Sequence, residues 1–70
     1  MNYVKVKLGR ILKEKGLTQK WLAKETGLHE SVISGIVRDS KDSINKKHLA
    51  AIMKALEITD FNVILEIVDD

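Results

Sequence analysis

Gln19-Lys20-Trp21-Leu22-Ala23-Lys24-Glu25-Thr26-Gly27-Leu28-His29-Glu30-Ser31-Val32-Ile33-Ser34-Gly35-Ile36 reads as two helices meeting at an angle. Ala23 is small enough to admit a close neighbour, Gly27 permits a tight turn, and Ile33 with Ile36 seals the wedge between the helices. Two helices joined in this way cross at about 90–120°, the helix-turn-helix geometry. Thr18 supplies the N-cap of the first, so the unit covers about residues 18–37, with helices predicted at about 19–25 and from 29 or 30 to 37.

The same periodicity extends outward. Leu8, Ile11 and Leu12 predict a helix from about 8 to 15 stopped by Gly16, and Leu49, Ile52, Met53 and Leu56 predict another after a cap at Asn45. Between them, residues 38–43 carry no periodic apolar side chain and read as an exposed loop. The ends change period. Val4 and Val6 alternate with Tyr3, Lys5 and Lys7, and Leu65 and Ile67 flank Glu66, which predicts terminal strands. A lone strand leaves its backbone unsatisfied, so the termini pair, within one chain or with a second molecule. Asp60 either caps a short helix over 61–64 before the last strand, or opens one fifth helix running to Ile67.

Seventy residues without cysteine suit one small domain, without disulfides or a thiolate metal site, in a reducing compartment. A domain of this size hides only about 60–65% of its unfolded surface, so one apolar cluster carries most of the stability. The apolar runs fall far short of the roughly 20 residues of a membrane span, and no signal-like stretch opens the chain. The net charge of +2 divides unevenly, +6 over residues 1–47 and −4 over 48–70, so one end suits a polyanion and the other avoids it.

Gly16-Leu17-Thr18-Gln19, Leu22-Ala23, Gly27, Val32-Ile33-Ser34 and Ala55-Leu56 together resemble the lambda-repressor-like, or Xre-type (Cro/repressor), family of helix-turn-helix regulators. The likeness runs from about Leu8 to Glu66. It implies a mainly α, compact four- to five-helix lambda-repressor-like DNA-binding domain. The residues themselves add a small two-stranded pairing of the N- and C-terminal segments, and the whole of 1–70 is expected to be that single domain.

The resemblance also implies a sequence-specific transcriptional regulator, most simply a repressor, whose third helix enters the major groove of double-stranded DNA. Gln19 matches a position that meets the backbone, beside the Thr18 cap, and His29, Glu30, Ser31 and Ser34 match the start and reading face of the third helix; Lys20 is a phosphate candidate because it sits near the start of the second. Arg38, Ser40 and Lys41 match the loop that meets phosphate. Lys46 and Lys47 are further phosphate candidates, while Lys5, Lys7, Lys13 and Lys24 read as a solvated shell.

The family pattern is broken at four places. His29 stands where a Ser, Thr or Asp cap is common, and Glu30 replaces a donor; as an acceptor it favours a cytosine N4 group if it reads a base. Leu12 and Val37 occupy positions that often hold an arginine and a glutamate, so an apolar contact replaces an ion pair. Glu30 equally suits a helix N-terminus without touching DNA.

One such headgroup makes few base contacts, so a homodimer on a palindrome with half-sites about 34 Å apart is expected. No cofactor, metal, membrane or small-molecule substrate is expected, and the location is cytoplasmic, of bacterial or phage type, nucleoid-associated when bound. The competing expectation is an antitoxin-like or antirepressor interaction module with weak DNA binding. An enzyme is disfavoured: there is no credibly spaced Ser/His/Asp set, no glycine-rich phosphate loop, and a domain this small is expected to have no pocket volume.

Overall fold

The computed structural model describes residues 2–39 and 43–69. In chain order they form β1 (Asn2–Val6), α1 (Leu8–Lys15), α2 (Gln19–Thr26), α3 (Glu30–Arg38), α4 (Lys46–Ala55), α5 (Phe61–Ile64) and β2 (Leu65–Asp69).

Local chemistry places the helix ends. Thr18 is extended, and its Oγ1 accepts the Trp21 N–H at 3.0 Å. Asn45 Oδ1 accepts from the N–H groups of Lys47 at 2.8 Å and His48 at 3.2 Å, satisfying two of the donors a helix start leaves open. Asp60 caps α5 through the Asn62 N–H at 2.9 Å. Gly16 (φ 67°) and Gly27 (φ 75°) end α1 and α2 in the left-handed region that disfavours side chains.

After α4 the same left-handed turn falls on a residue with a side chain, Glu57, at φ 56°. The Glu57 N–H donates to the Lys54 carbonyl at 3.1 Å and the Ile58 N–H to Met53 at 2.8 Å, with Ile58 and Met53 both buried. This is the Schellman arrangement, in which glycine is preferred. Glu57→Gly is expected to raise stability by about 0.5–1 kcal/mol, because relief of the left-handed strain exceeds the added chain entropy. Urea denaturation measures it, and a less stable variant contradicts the strain.

α2 packs against both α3 and α4, and α1 packs against α3. Leu8, Leu22, Ile33, Ile52 and Ile64 are fully buried, and no polar side chain is buried among the described residues. Leu12 is buried and Val37 packs half-buried against the same cluster. A Val37 methyl lies 3.1 Å from where a Cβ on Gly9 would stand, so Gly9 lets α3 approach α1 closely.

The terminal segments pair within the chain, antiparallel, in the register Asn2↔Asp69, Tyr3↔Val68, Val4↔Ile67, Lys5↔Glu66 and Val6↔Leu65. Of the two readings of residues 60–67, the short helix followed by a strand is the one adopted. Leu65 turns to extended backbone (φ −114°, ψ 148°), because β1 offers its alternating apolar residues a ladder partner.

One expectation is corrected. Arg38 closes α3 and is not in the following loop, and only at Asp39 does the backbone turn left-handed (φ 52°). Lys7 is half-buried as a residue, and its exposed Nζ donates to the Asn62 carbonyl at 2.9 Å. No helix among the described residues is long and apolar enough to cross a membrane.

Candidate nucleic-acid interface

Along α3, Ser31, Ser34, Gly35 and Arg38 follow the i, i+3, i+4, i+7 spacing of one helix face, away from the fully buried Ile33. Ser31 and Arg38 are exposed, and Ser34 and Gly35 half-buried. Arg38 Nη1 donates to Ser34 Oγ at 2.9 Å, one turn apart, which holds the guanidinium along the helix. Among the described residues, Ser34 is the partner of this guanidinium, which carries further N–H donors.

The start of α3 is open. His29 is extended and makes no side-chain cap. Its carbonyl accepts from Val32 at 3.0 Å and Ile33 at 3.2 Å, and the N–H groups of Glu30 and Ser31, donors of the first turn, have no partner among the described residues. These donors and the helix dipole favour an anion there. Glu30, exposed on the same turn, opposes a second negative group and accepts donors instead.

Thr18, Gln19 and Lys20 stand at the start of α2, which packs directly on α3. The Thr18 oxygen is committed to the Trp21 N–H, leaving its proton to donate outward. Gln19 is half-buried and Lys20 exposed. Ser40 and Lys41, expected at phosphate, lie outside the described residues. The predicted positions therefore gather at two helix starts and along one face of α3, with a direct contact between Ser34 and Arg38.

Two features escape a reading of the sequence. Gly35 sits inside α3, and a Cβ built on it meets nothing within 4 Å among the described residues. Packing among the described residues gives no reason for a glycine that weakens a helix. A glycine within a helical pattern was the available signal. The second feature is Asp39, whose Oδ2 accepts the Val6 N–H at 3.2 Å across 33 residues, fastening β1 to the end of α3. Only an aspartate in turn-forming company hinted at it.

A groove of about 720 Å³ lies between α3, the start of α4 and the sheet, which corrects the expectation of no pocket volume. Val4, Val6, Val32, Ile36, Ile44 and Leu65 supply its apolar wall, and Ser31, Arg38, Asp39 and His48 supply polar groups. No hydrogen bond among the described residues joins His48 to Asp39 or to a serine, and Asp39 Oδ2 is occupied by Val6. Nor do the described residues bring three His, Asp or Glu side chains together as a metal site.

The tight α2–α3 pair, its outward polar face and the surrounding helices define a helix-turn-helix domain. The sequence model of the Cro/C1-type HTH DNA-binding domain matches residues 7–70, and the chain belongs to that family. Among curated proteins and among solved structures, nothing matches.

Proposed function

We propose that this protein is a sequence-specific transcriptional regulator, a repressor that occludes a promoter by laying α3 in the major groove. The carrying observation is the outward stripe of Ser31, Ser34, Gly35 and Arg38 beside the uncapped start of α3, in a Cro/C1-type domain. Phosphates hold the protein through Lys20, Arg38 and the N–H groups at the start of α2, while α3 discriminates bases. Thr18, Gln19 and Lys20 serve the backbone beside α2; His29, Glu30, Ser31 and Ser34 serve the groove. Ser40 and Lys41 extend the phosphate contacts. The 70 residues act as one cytoplasmic, nucleoid-associated headgroup, and two copies share a palindrome.

Selection of bound duplexes from a random pool tests this reading, with an enriched two-fold site as the expected result. Neutralising about four or five phosphates per subunit lowers log affinity by roughly 0.9 per phosphate for each tenfold rise in salt. Raising salt from about 50 to 200 mM is thus expected to weaken binding about 150- to 500-fold for each subunit. A flat salt response overturns DNA binding as the main activity.

Exposed Glu30 at the start of α3 favours a second reading, an antitoxin-like or antirepressor module with weak DNA binding. Failure of every duplex in the pool to enrich supports that alternative. Glu30→Ala then separates the roles within the first reading. Altered relative affinities across site variants assign Glu30 to base recognition, whereas unchanged ones assign it to the helix dipole.

A further inference from the structure

The groove beside α3 combines two chemistries. On the sheet side, Val4 and Val6 alternate along β1, and their register partners Ile67 and Leu65 lie on the same face. Val6 is buried and Leu65 half-buried, whereas Val4 (58%) and Ile67 (73%) stay exposed toward the chain ends. Ile36 of α3 and Ile44 before α4, both half-buried, extend the apolar lining.

The polar lining consists mainly of donors. The Arg38 guanidinium has N–H groups beyond the one given to Ser34, and Ser31 and Ser43 bring hydroxyls. Asn45 uses Oδ1 to accept from Lys47 and His48, and its NH2 group has no partner among the described residues. Among the described residues that line the groove, Asp39 is the only acid, and its Oδ2 already accepts the Val6 N–H.

A volume of about 720 Å³ lies within the roughly 300–1,000 Å³ of small-molecule sites, whose usual make-up is an apolar wall with a few convergent polar groups. We infer that the groove binds a free monocarboxylate with an aliphatic body, and that its occupancy releases DNA. The carboxylate accepts from Arg38 and Asn45, and the hydrocarbon covers Val4, Ile36 and Ile44. A single negative charge complements the one arginine through charge-assisted bonds. Asp39 opposes a doubly charged phosphate, and Arg38 opposes an amine. A neutral alcohol of the same length keeps the apolar contact and loses the ion pair.

Ser31, Gly35 and Arg38 belong both to the groove and to the outward stripe of α3. A carboxylate held at Arg38 withdraws the guanidinium from phosphate and places a negative charge beside the reading face. Ligand and duplex then oppose each other, each weakening the other by the same factor. The release rests on the DNA-binding reading proposed above; the ligand site does not.

NMR titration of the whole chain without DNA tests the site, with octanoate and octan-1-ol as probes below the micelle concentration. Octanoate is expected to shift the amide signals of Val4, Ile36 and Ile44, and octanol to bind at least tenfold more weakly, the share of a charge-assisted bond. Decanoate should bind more tightly than octanoate, up to a ceiling of about 15-fold set by two further buried methylenes. Arg38→Gln is expected to bring octanoate down to the affinity of octanol. Val4→Asp, at an exposed strand position, should weaken both probes at least fivefold. Lys24→Gln, which removes an exposed cation of α2 outside the groove, should change neither. Circular dichroism checks that each variant keeps the fold. At constant ionic strength, saturating octanoate is then expected to lower affinity for an enriched duplex at least tenfold.

Equal affinity for octanoate and octanol, or a loss in Lys24→Gln as large as in Arg38→Gln, would overturn the site. So would absence of binding, and if Val4→Asp then also alters the sedimentation of the chain, the groove is a contact between copies. Octanoate bound with the duplex still in place would overturn the release. Should the random pool enrich no duplex, the DNA-binding reading falls, while the octanoate titration decides the site by itself.

Discussion

Ile33→Ala is expected to remove about 2–5 kcal/mol of unfolding free energy, the range for truncating a large aliphatic side chain in a closed core. Ile33 has no exposed surface and packs where α3 meets the rest of the cluster. A chain of this length has a total stability of only about 4–10 kcal/mol, so the loss takes a large share. The substituted protein should unfold at much lower urea concentration, with the α3 face losing its support at the same time. Equilibrium denaturation followed by circular dichroism gives the number. A loss below about 1 kcal/mol would show that the wedge behind α3 collapses easily or is loosely packed, and that the helix-turn-helix draws its rigidity from elsewhere.

Gly35→Ala is expected to move stability and binding in opposite directions. Alanine in place of a mid-helix glycine stabilises by about 0.5–1 kcal/mol, and the added methyl meets no neighbour within 4 Å among the described residues. On the outward face beside Ser34 and Arg38, however, the methyl holds the helix away from a groove wall. DNA affinity at fixed salt should fall tenfold or more, at least about 1.4 kcal/mol. Thermal unfolding and duplex titration of the same preparation are both required. Greater stability with unchanged affinity would take Gly35 off the DNA-facing side, whereas lower stability would reveal a structural use for the bare backbone.

The helices were legible because their signals are local. Stripes such as Leu8, Ile11, Leu12 and Leu49, Ile52, Met53 repeat within a few residues, and Thr18 and Asn45 act on N–H groups only two or three positions away. What the sequence obscured depends on distant partners. Residues 65–69 alternate weakly, and only the ladder with residues 2–6 decides between strand and helix. Arg38 belongs to α3 because Ser34 and the preceding turn support it, although its polar neighbours resemble a loop.

Within the candidate interface, residue types and helix faces could be read directly. The Arg38–Ser34 bond followed from spacing only in principle, and the Asp39 bond to Val6 left only an aspartate among turn formers as its local trace. Lys7 illustrates the same limit: an ordinary surface lysine by composition, it reaches the Asn62 carbonyl only because the fold brings the two together across 55 residues.

The pairing of Asn2 with Asp69 also joins the two most distant described segments of the chain. The contacts among α1 to α4 span shorter stretches, so their loops close at lower entropic cost. β1 finds its ladder only when residues 65–69 return to it, and closing so long a loop is slow compared with forming a helix. The bond from the Val6 N–H to Asp39 spans 33 residues, a shorter loop than the ladder closes. The tie between β1 and the end of α3 therefore costs less chain entropy than the strand pairing that completes the sheet.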